Sequence, residues 1–193
     1  RATVAYVDAD GKLHNDLDGS TPETDDDGAE AYVLSGTETD LGVGGVDTWY
    51  VALPADENDG LDLTGYGQLT LRGNVHLILA DGAEMKATGN YAIENYVGGS
   101  LTLYGQRGQT GVLSAEGTKE FSNVIEFYGA DLVINGGCLT AKADNLDNDI
   151  MIENGNLTVN GGTIFDTPEL SIYNGNATIN GGRLTGNLEI ITS

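Results

Sequence analysis

A six-residue element recurs three times in the second half of the chain: Leu132-Val133-Ile134-Asn135-Gly136-Gly137, Leu157-Thr158-Val159-Asn160-Gly161-Gly162 and Ala177-Thr178-Ile179-Asn180-Gly181-Gly182. A short alternating strand closed by Asn-Gly-Gly, and repeated at the spacing of one coil, constrains the fold more than any other feature of the sequence. Three columns of apolar residues keep step with it. The first is Ile93, Ile125, Ile152, Ile172; the second is Leu101, Leu132, Leu157, Ala177; the third is Leu113, Leu139, Ile164, Leu184. Successive separations are 32, 27 and 20 in the first, 31, 25 and 20 in the second, and 26, 25 and 20 in the third. Each coil is therefore expected to hold three short strands. Coil length falls toward the C-terminus, and the excess sits at 116–122 and 142–149, in loops where solvated backbone tolerates insertion.

The period decides against helix. Apolar residues alternate, as in Ile150-Met151-Ile152, which is a two-residue repeat in segments rich in β-branched side chains. Asn-Gly-Gly supplies the backbone freedom of a tight corner. Asn-Gly alone suggests a hairpin, but a 20-residue repeat of three strands keeps one face inward only if the chain coils. The predicted fold is all-β: a right-handed parallel β-helix, a single-stranded solenoid, with an N-terminal β-hairpin cap. Coils about 4.8 Å apart place like on like, so Asn135, Asn160 and Asn180 are expected to form a structural amide ladder.

Composition narrows the function. The chain has 193 residues, 29 of them Gly and only 3 Pro, which suits one domain with many tight corners. No run approaches the ~20 apolar residues of a membrane-spanning helix. Cys138 is the single cysteine, so no intrachain disulfide forms; alternation with Leu139 places it on the outer face as a tolerated small residue. The formal net charge is −22, from 30 acidic and 8 basic residues. Nucleic-acid binding needs a basic stripe and is excluded. Such a surface favours solubility and can hold Ca²⁺ through clustered carboxylates.

The first part of the chain, residues 1–48, reads as a cap on the open end of the solenoid formed by 49–193. Thr3 to Val7, the turn Asp8-Ala9-Asp10-Gly11, and Lys12 onward read as a hairpin. The same turn resembles the start of an EF-hand loop, but Lys12 and Gly19 stand where further carboxylates are needed, so a plain turn is expected. Asp16 to Glu30, with Asp25-Asp26-Asp27, reads as a polar loop. Leu61 to Leu63, Leu69 to Leu71 and Val75 to Leu79 are expected to continue the coil that Trp49 opens. Residues 187–191 begin another coil and then stop. With no signal peptide ahead of Arg1, the chain reads as a mature or excised fragment of a larger surface protein.

Outward positions define the candidate site. If Ile93, Ile125 and Ile152 point inward, Glu94, Glu126 and Glu153 stack outward, flanked by Tyr96 and Tyr128. Aromatic rings pack on apolar sugar faces, and carboxylates bind hydroxyls or Ca²⁺. These five residues are the expected ligand contacts, and the three Glu the expected metal ligands. A second outward column, Thr102, Val133, Thr158 and Thr178, reads as ordinary β-propensity. Catalysis is the rival reading. Parallel β-helices host polysaccharide lyases and inverting hydrolases; Glu94 with Glu153 would supply two carboxylates, and Arg72, Arg107, Lys119 or Arg183 a basic residue. A spacer of a surface array is the third reading.

The stretches Trp49-Tyr50-Val51-Ala52, Leu69-Thr70-Leu71-Arg72-Gly73-Asn74-Val75-His76-Leu77-Ile78-Leu79-Ala80-Asp81-Gly82 and Ser100-Leu101-Thr102-Leu103-Tyr104-Gly105-Gln106 resemble modules of large secreted and cell-surface proteins of gut Firmicutes. The run from Ala141-Lys142-Ala143-Asp144-Asn145-Leu146-Asp147-Asn148-Asp149 to Asn160-Gly161-Gly162-Thr163-Ile164 is similar to the repeat of a β-helical family that binds acidic plant polysaccharides and calcium. That family usually carries a Gly-Asp-Gly-Asp loop, where this chain has Asp144-Asn145-Leu146-Asp147-Asn148-Asp149. The resemblance implies an extracellular, bacterial cell-surface location, and adhesion or binding of a polysaccharide or host glycan.

Overall fold

The structure is a computed structural model that describes residues 1–14, 28–118, 123–143 and 149–192. Most of the acidic N-terminal loop, including Asp25, Asp26 and Asp27, lies outside the described residues, as do Lys119 and the acidic run 144–148.

The described chain is nearly all β, dominated by long parallel sheets. A thirteen-stranded sheet has two arms that meet at the strand Leu69–Leu79. One arm continues through Ile93–Asn95, Ile125–Tyr128, Ile150–Glu153, Glu169–Tyr173 and Asn187–Ile191. The other continues through Gly99–Tyr104, Ala130–Ile134, Leu157–Val159 and Ala177–Ile179. A separate five-stranded parallel sheet stacks Glu84–Gly89, Val112–Gly117, Cys138–Lys142, Thr163–Ile164 and Arg183–Leu184. The chain visits the first arm, the second arm and the separate sheet in turn, and pairs each strand with its counterpart one repeat earlier. That connectivity is compatible with a β-solenoid.

Alternation explains why these segments are strands. In Leu157–Val159 the two apolar ends are fully buried and Thr158 is half-buried; Leu132 and Ile134 do the same around Val133. The buried faces of all three stacks share one core. Each fully buried Leu or Ile contributes roughly 1.5–3 kcal/mol. Close approach at the corners demands glycine for lack of space: a Cβ on Gly155 would meet the Ala130 carbonyl oxygen, and one on Gly175 the Gly155 carbonyl oxygen, both inside contact distance.

The second and third apolar columns pair as the sequence spacing predicts: Leu101, Leu132, Leu157 and Ala177 are register partners in turn, as are Leu113, Leu139, Ile164 and Leu184. The first column does so at two of its three steps, Ile93 with Ile125 and Ile152 with Ile172, but slips at the middle one. Ile125 pairs with Ile150, and Ile152 pairs with Phe127 and Ile172. The stack is Asn95, Phe127, Ile152, Ile172, displaced by two residues from the expectation. A one-residue slip would turn every side chain over, but a two-residue slip preserves alternation, so the apolar pattern cannot distinguish the two registers.

The N-terminal region differs in detail. The hairpin is Tyr6–Val7 with Leu13–His14, closed by a plain turn in which the Asp8 carboxylate accepts from the Asp10 and Lys12 amides, both at 2.9 Å. Thr3 belongs instead to Ala2–Val4, which runs antiparallel to Ala29–Val33. That strand pairs in parallel with Asp40–Ala52, which pairs in turn with Leu69–Leu79. Leu61 to Leu63 is not a strand. Pro54 opens a 3-10 turn at Ala55–Glu57, and Asp59 and Gly60 take positive φ, breaking the extended run; Leu63 is buried all the same. Leu69 to Leu71 and Val75 to Leu79 belong to one strand, in which Gly73 takes φ +67°.

Candidate functional site

The two-residue displacement rearranges the expected acidic column. Glu94 and Glu126 are register partners, but the next positions are Met151 and Ser171. Glu153 stands one column over, between Tyr128 and Tyr173. The three Glu side chains therefore do not form one ladder. Among the described residues no group of three or more His, Cys, Asp or Glu is placed to hold a metal ion.

What the structure brings together is Tyr96, Tyr128 and Glu126. The two rings lie 5.3 Å apart at 38°, and both are exposed, at 44% and 37%. The Glu126 residue is 7% exposed. Its carboxylate accepts from the Tyr96 hydroxyl at 2.8 Å and from the Asn123 amide at 2.5 Å. Two donors satisfy a carboxylate that would otherwise be costly to cover. Glu94 accepts from the Thr70 hydroxyl at 3.1 Å. Partial burial drives the Tyr96 hydroxyl pKa well up, and the Glu126 carboxylate it serves, with Glu94 nearby, pushes it further. Burial, then Glu126 and Glu153, raise Tyr128 as well. Both phenols therefore stay protonated donors at any physiological pH. The result is an exposed pair of rings edged by a fixed carboxylate, with Glu153 beside Tyr128.

The Asn residues form a continuous amide ladder. Asn160 Nδ2 donates to Asn135 Oδ1, and Asn180 Nδ2 donates to Asn160 Oδ1, both at 2.8 Å. The outer positions Thr102, Val133, Thr158 and Thr178 are likewise register partners. Of the basic residues weighed for catalysis, Arg72 is held by Asp40 at 3.1 Å, and Arg183 is exposed on the last strand of the five-stranded sheet. Cys138 is half-buried, with burial raising its thiol pKa, the opposite of a reactive thiolate.

Sequence reasoning missed an aromatic cluster at the N-terminal end. Trp49 stacks on His76 at 4.4 Å and on Tyr104 at 4.8 Å, and Tyr6 covers Trp49 and Tyr104 at 5.2 Å each. His14 stacks on Tyr6 at 4.6 Å and its Nε2 sits 2.7 Å from Asp8. His76 Nδ1 bonds the Tyr104 hydroxyl at 2.9 Å, and burial lowers its pKa against the pull of Asp47. The hairpin is tied down by Val7 N donating to Gly105 O at 2.9 Å and by Gln106 Nε2 donating to Ala5 O at 3.1 Å. Both histidines of the chain are thus engaged in packing the hairpin against the sheet. The available signal was weak: outward aromatics at Trp49, His76 and Tyr104, one to each successive strand.

No helix among the described residues is long and apolar enough to cross a membrane. Comparison with known proteins finds no matching family model, no matching curated protein and no matching solved structure.

Proposed function

We propose that this chain is a right-handed parallel β-helix acting without catalysis as a module of an extracellular, bacterial cell-surface protein, for adhesion or polysaccharide binding. Three strands per repeat, stacked in parallel and in register, support the architecture. The observation that carries the binding reading is the exposed Tyr96–Tyr128 pair with the Glu126 carboxylate fixed beside it. Buried phenol rings need no such explanation; two adjacent exposed ones offer about the footprint of a sugar ring, with hydrogen-bonding groups at the rim. Glu153 and Glu94 extend that rim.

A glycan array tests this reading, run with Ca²⁺ and again with chelator, while products are monitored. Binding that falls roughly two- to tenfold in Tyr128→Ala, the worth of an aromatic contact, supports it. Release of shortened or unsaturated products would replace it with an enzyme. Silence across all glycans would leave a spacer.

A further inference from the structure

A second site stands apart from the Tyr96–Tyr128 surface. The strand Asp40–Ala52 departs from regular pairing between Gly42 and Asp47: these two residues oppose Arg72 and Asn74, so the strand carries extra residues over that span. Val43 and Val46, from this excess, line a cavity of about 350 Å³. Three aromatic residues, Tyr32, Trp49 and Tyr50, line it with the carboxylates of Glu30 and Asp47. The Tyr32 and Tyr50 rings are 5.8 Å apart. The Tyr50 hydroxyl is pinned by the Gly42 amide at 2.8 Å, and Asp47 is oriented by Asn74 at 2.7 Å.

One cation already sits there. The Arg1 guanidinium lies over the Tyr32 ring, 4.4 Å from its centroid, and Nη2 donates to the Tyr32 hydroxyl at 2.5 Å. Aromatic faces and carboxylates together are the chemistry that recognises organic cations. A side chain of this protein occupies the site as such a ligand would. The net charge of −22 raises the local concentration of cations around it.

We propose that this cavity is a binding site for the guanidinium group of a cationic ligand, and that Arg1 is its intramolecular occupant. Arg1 is solvent-exposed, so an incoming guanidinium displaces it without opening the core. The ligand is either a small guanidine or an arginine side chain of a peptide.

Trp49 is among the residues lining the cavity and is the single tryptophan, so its emission is followed alongside calorimetric titration. The full chain and Arg1→Ala are titrated with methylguanidinium, with its neutral analogue N-methylurea, and with a short arginine-containing peptide. Saturable response to methylguanidinium and none to N-methylurea is expected. Removing the internal competitor in Arg1→Ala should tighten binding roughly two- to fivefold, the size of an exposed cation–π contact. Tyr32→Phe should keep binding and Tyr32→Leu should lose it, with circular dichroism confirming that both fold. A peptide that binds more tightly than methylguanidinium identifies a peptide partner, and equal affinities a small cation; either satisfies the proposal. An equal response to N-methylurea, or Arg1→Ala binding no better than the native chain, overturns it.

Discussion

The amide ladder offers the most direct measurement of what holds successive repeats together. Asn160 is its middle rung and makes two side-chain bonds of 2.8 Å, to Asn135 and from Asn180. A neutral hydrogen bond contributes about 0.5–1.5 kcal/mol net, and a covered group left without a partner costs about 1–3 kcal/mol. Asn135 is buried, whereas Asn180 is exposed. Asn160→Ala removes both bonds and strands the Asn135 oxygen, so it should cost about 2 kcal/mol. Asn180→Ala removes one bond at an exposed position and should cost about 0.5 kcal/mol. The corner backbone survives both changes, because Asn160 N still donates to Ile134 O and Asn180 N to Val159 O, each at 2.8 Å. Urea unfolding monitored by circular dichroism gives the midpoints, and an unchanged slope shows that the unfolded reference is unaltered. Hydrogen exchange at these two amides separates fraying of the last repeat from global unfolding. The reasoning also requires non-additivity: once Asn160 is Ala, removing the Asn180 amide should cost almost nothing more. Equal costs for the two single variants, or full additivity in the double variant, would refute a cooperative ladder.

Two further outcomes test the core and the hairpin. Phe127 is fully buried between Asn95 and Ile152, so Phe127→Ala should cost about 3–5 kcal/mol in urea unfolding, against far less for Phe127→Leu. Burial holds the His76 pKa below its ordinary value of 6.5. The unfolded chain therefore binds more protons at this residue as pH falls through that value, and the stability gained from neutral His76 is lost from there down toward its lower folded pKa. Midpoints measured from about pH 7.5 to about pH 5.5 should decline in the native chain and flatten in His76→Gln; an equal decline in both would assign the effect to other groups.

Much of this was legible in the sequence because alternation and tight corners leave unambiguous marks. Leu132-Val133-Ile134 followed by Asn-Gly-Gly has few ways to be anything but a strand and its corner. Register in the first arm was less legible, since Phe127 and Asn95 interrupted a column that Ile125 and Ile93 completed two residues away. Spacing to the corner held the missing information. Phe127 to Leu132, Ile152 to Leu157 and Ile172 to Ala177 are each five residues, whereas Ile125 to Leu132 is seven. The cluster of Tyr6, His14, Trp49, His76 and Tyr104 was not legible, because only stacking of distant segments brings it together. The same holds for the cavity behind the irregular stretch at Gly42–Asp47, where extra residues in a strand read as an ordinary Gly-rich run.

The displaced register has an energetic reason that also shapes the surface. In the expected register Phe127 would face Asn154, a corner residue with φ +53°, and forfeit its pairing with Ile152. Glu153 would also stack on Glu126, adding repulsion of roughly 1 kcal/mol at the coil spacing even in a watery dielectric. The observed register keeps Phe127 on Ile152 and sets Met151 beside Glu126. One Glu–Glu neighbour remains, Glu94 with Glu126, and Thr70, Tyr96 and Asn123 all donate to it. Apolar packing and charge thus select the same arrangement. It disperses the carboxylates that a cation would have bridged, and leaves exposed rings with single acceptors at their edges. On the proposed binding reading, such rings and acceptors would hold a hydroxyl-bearing ligand by stacking and hydrogen bonds.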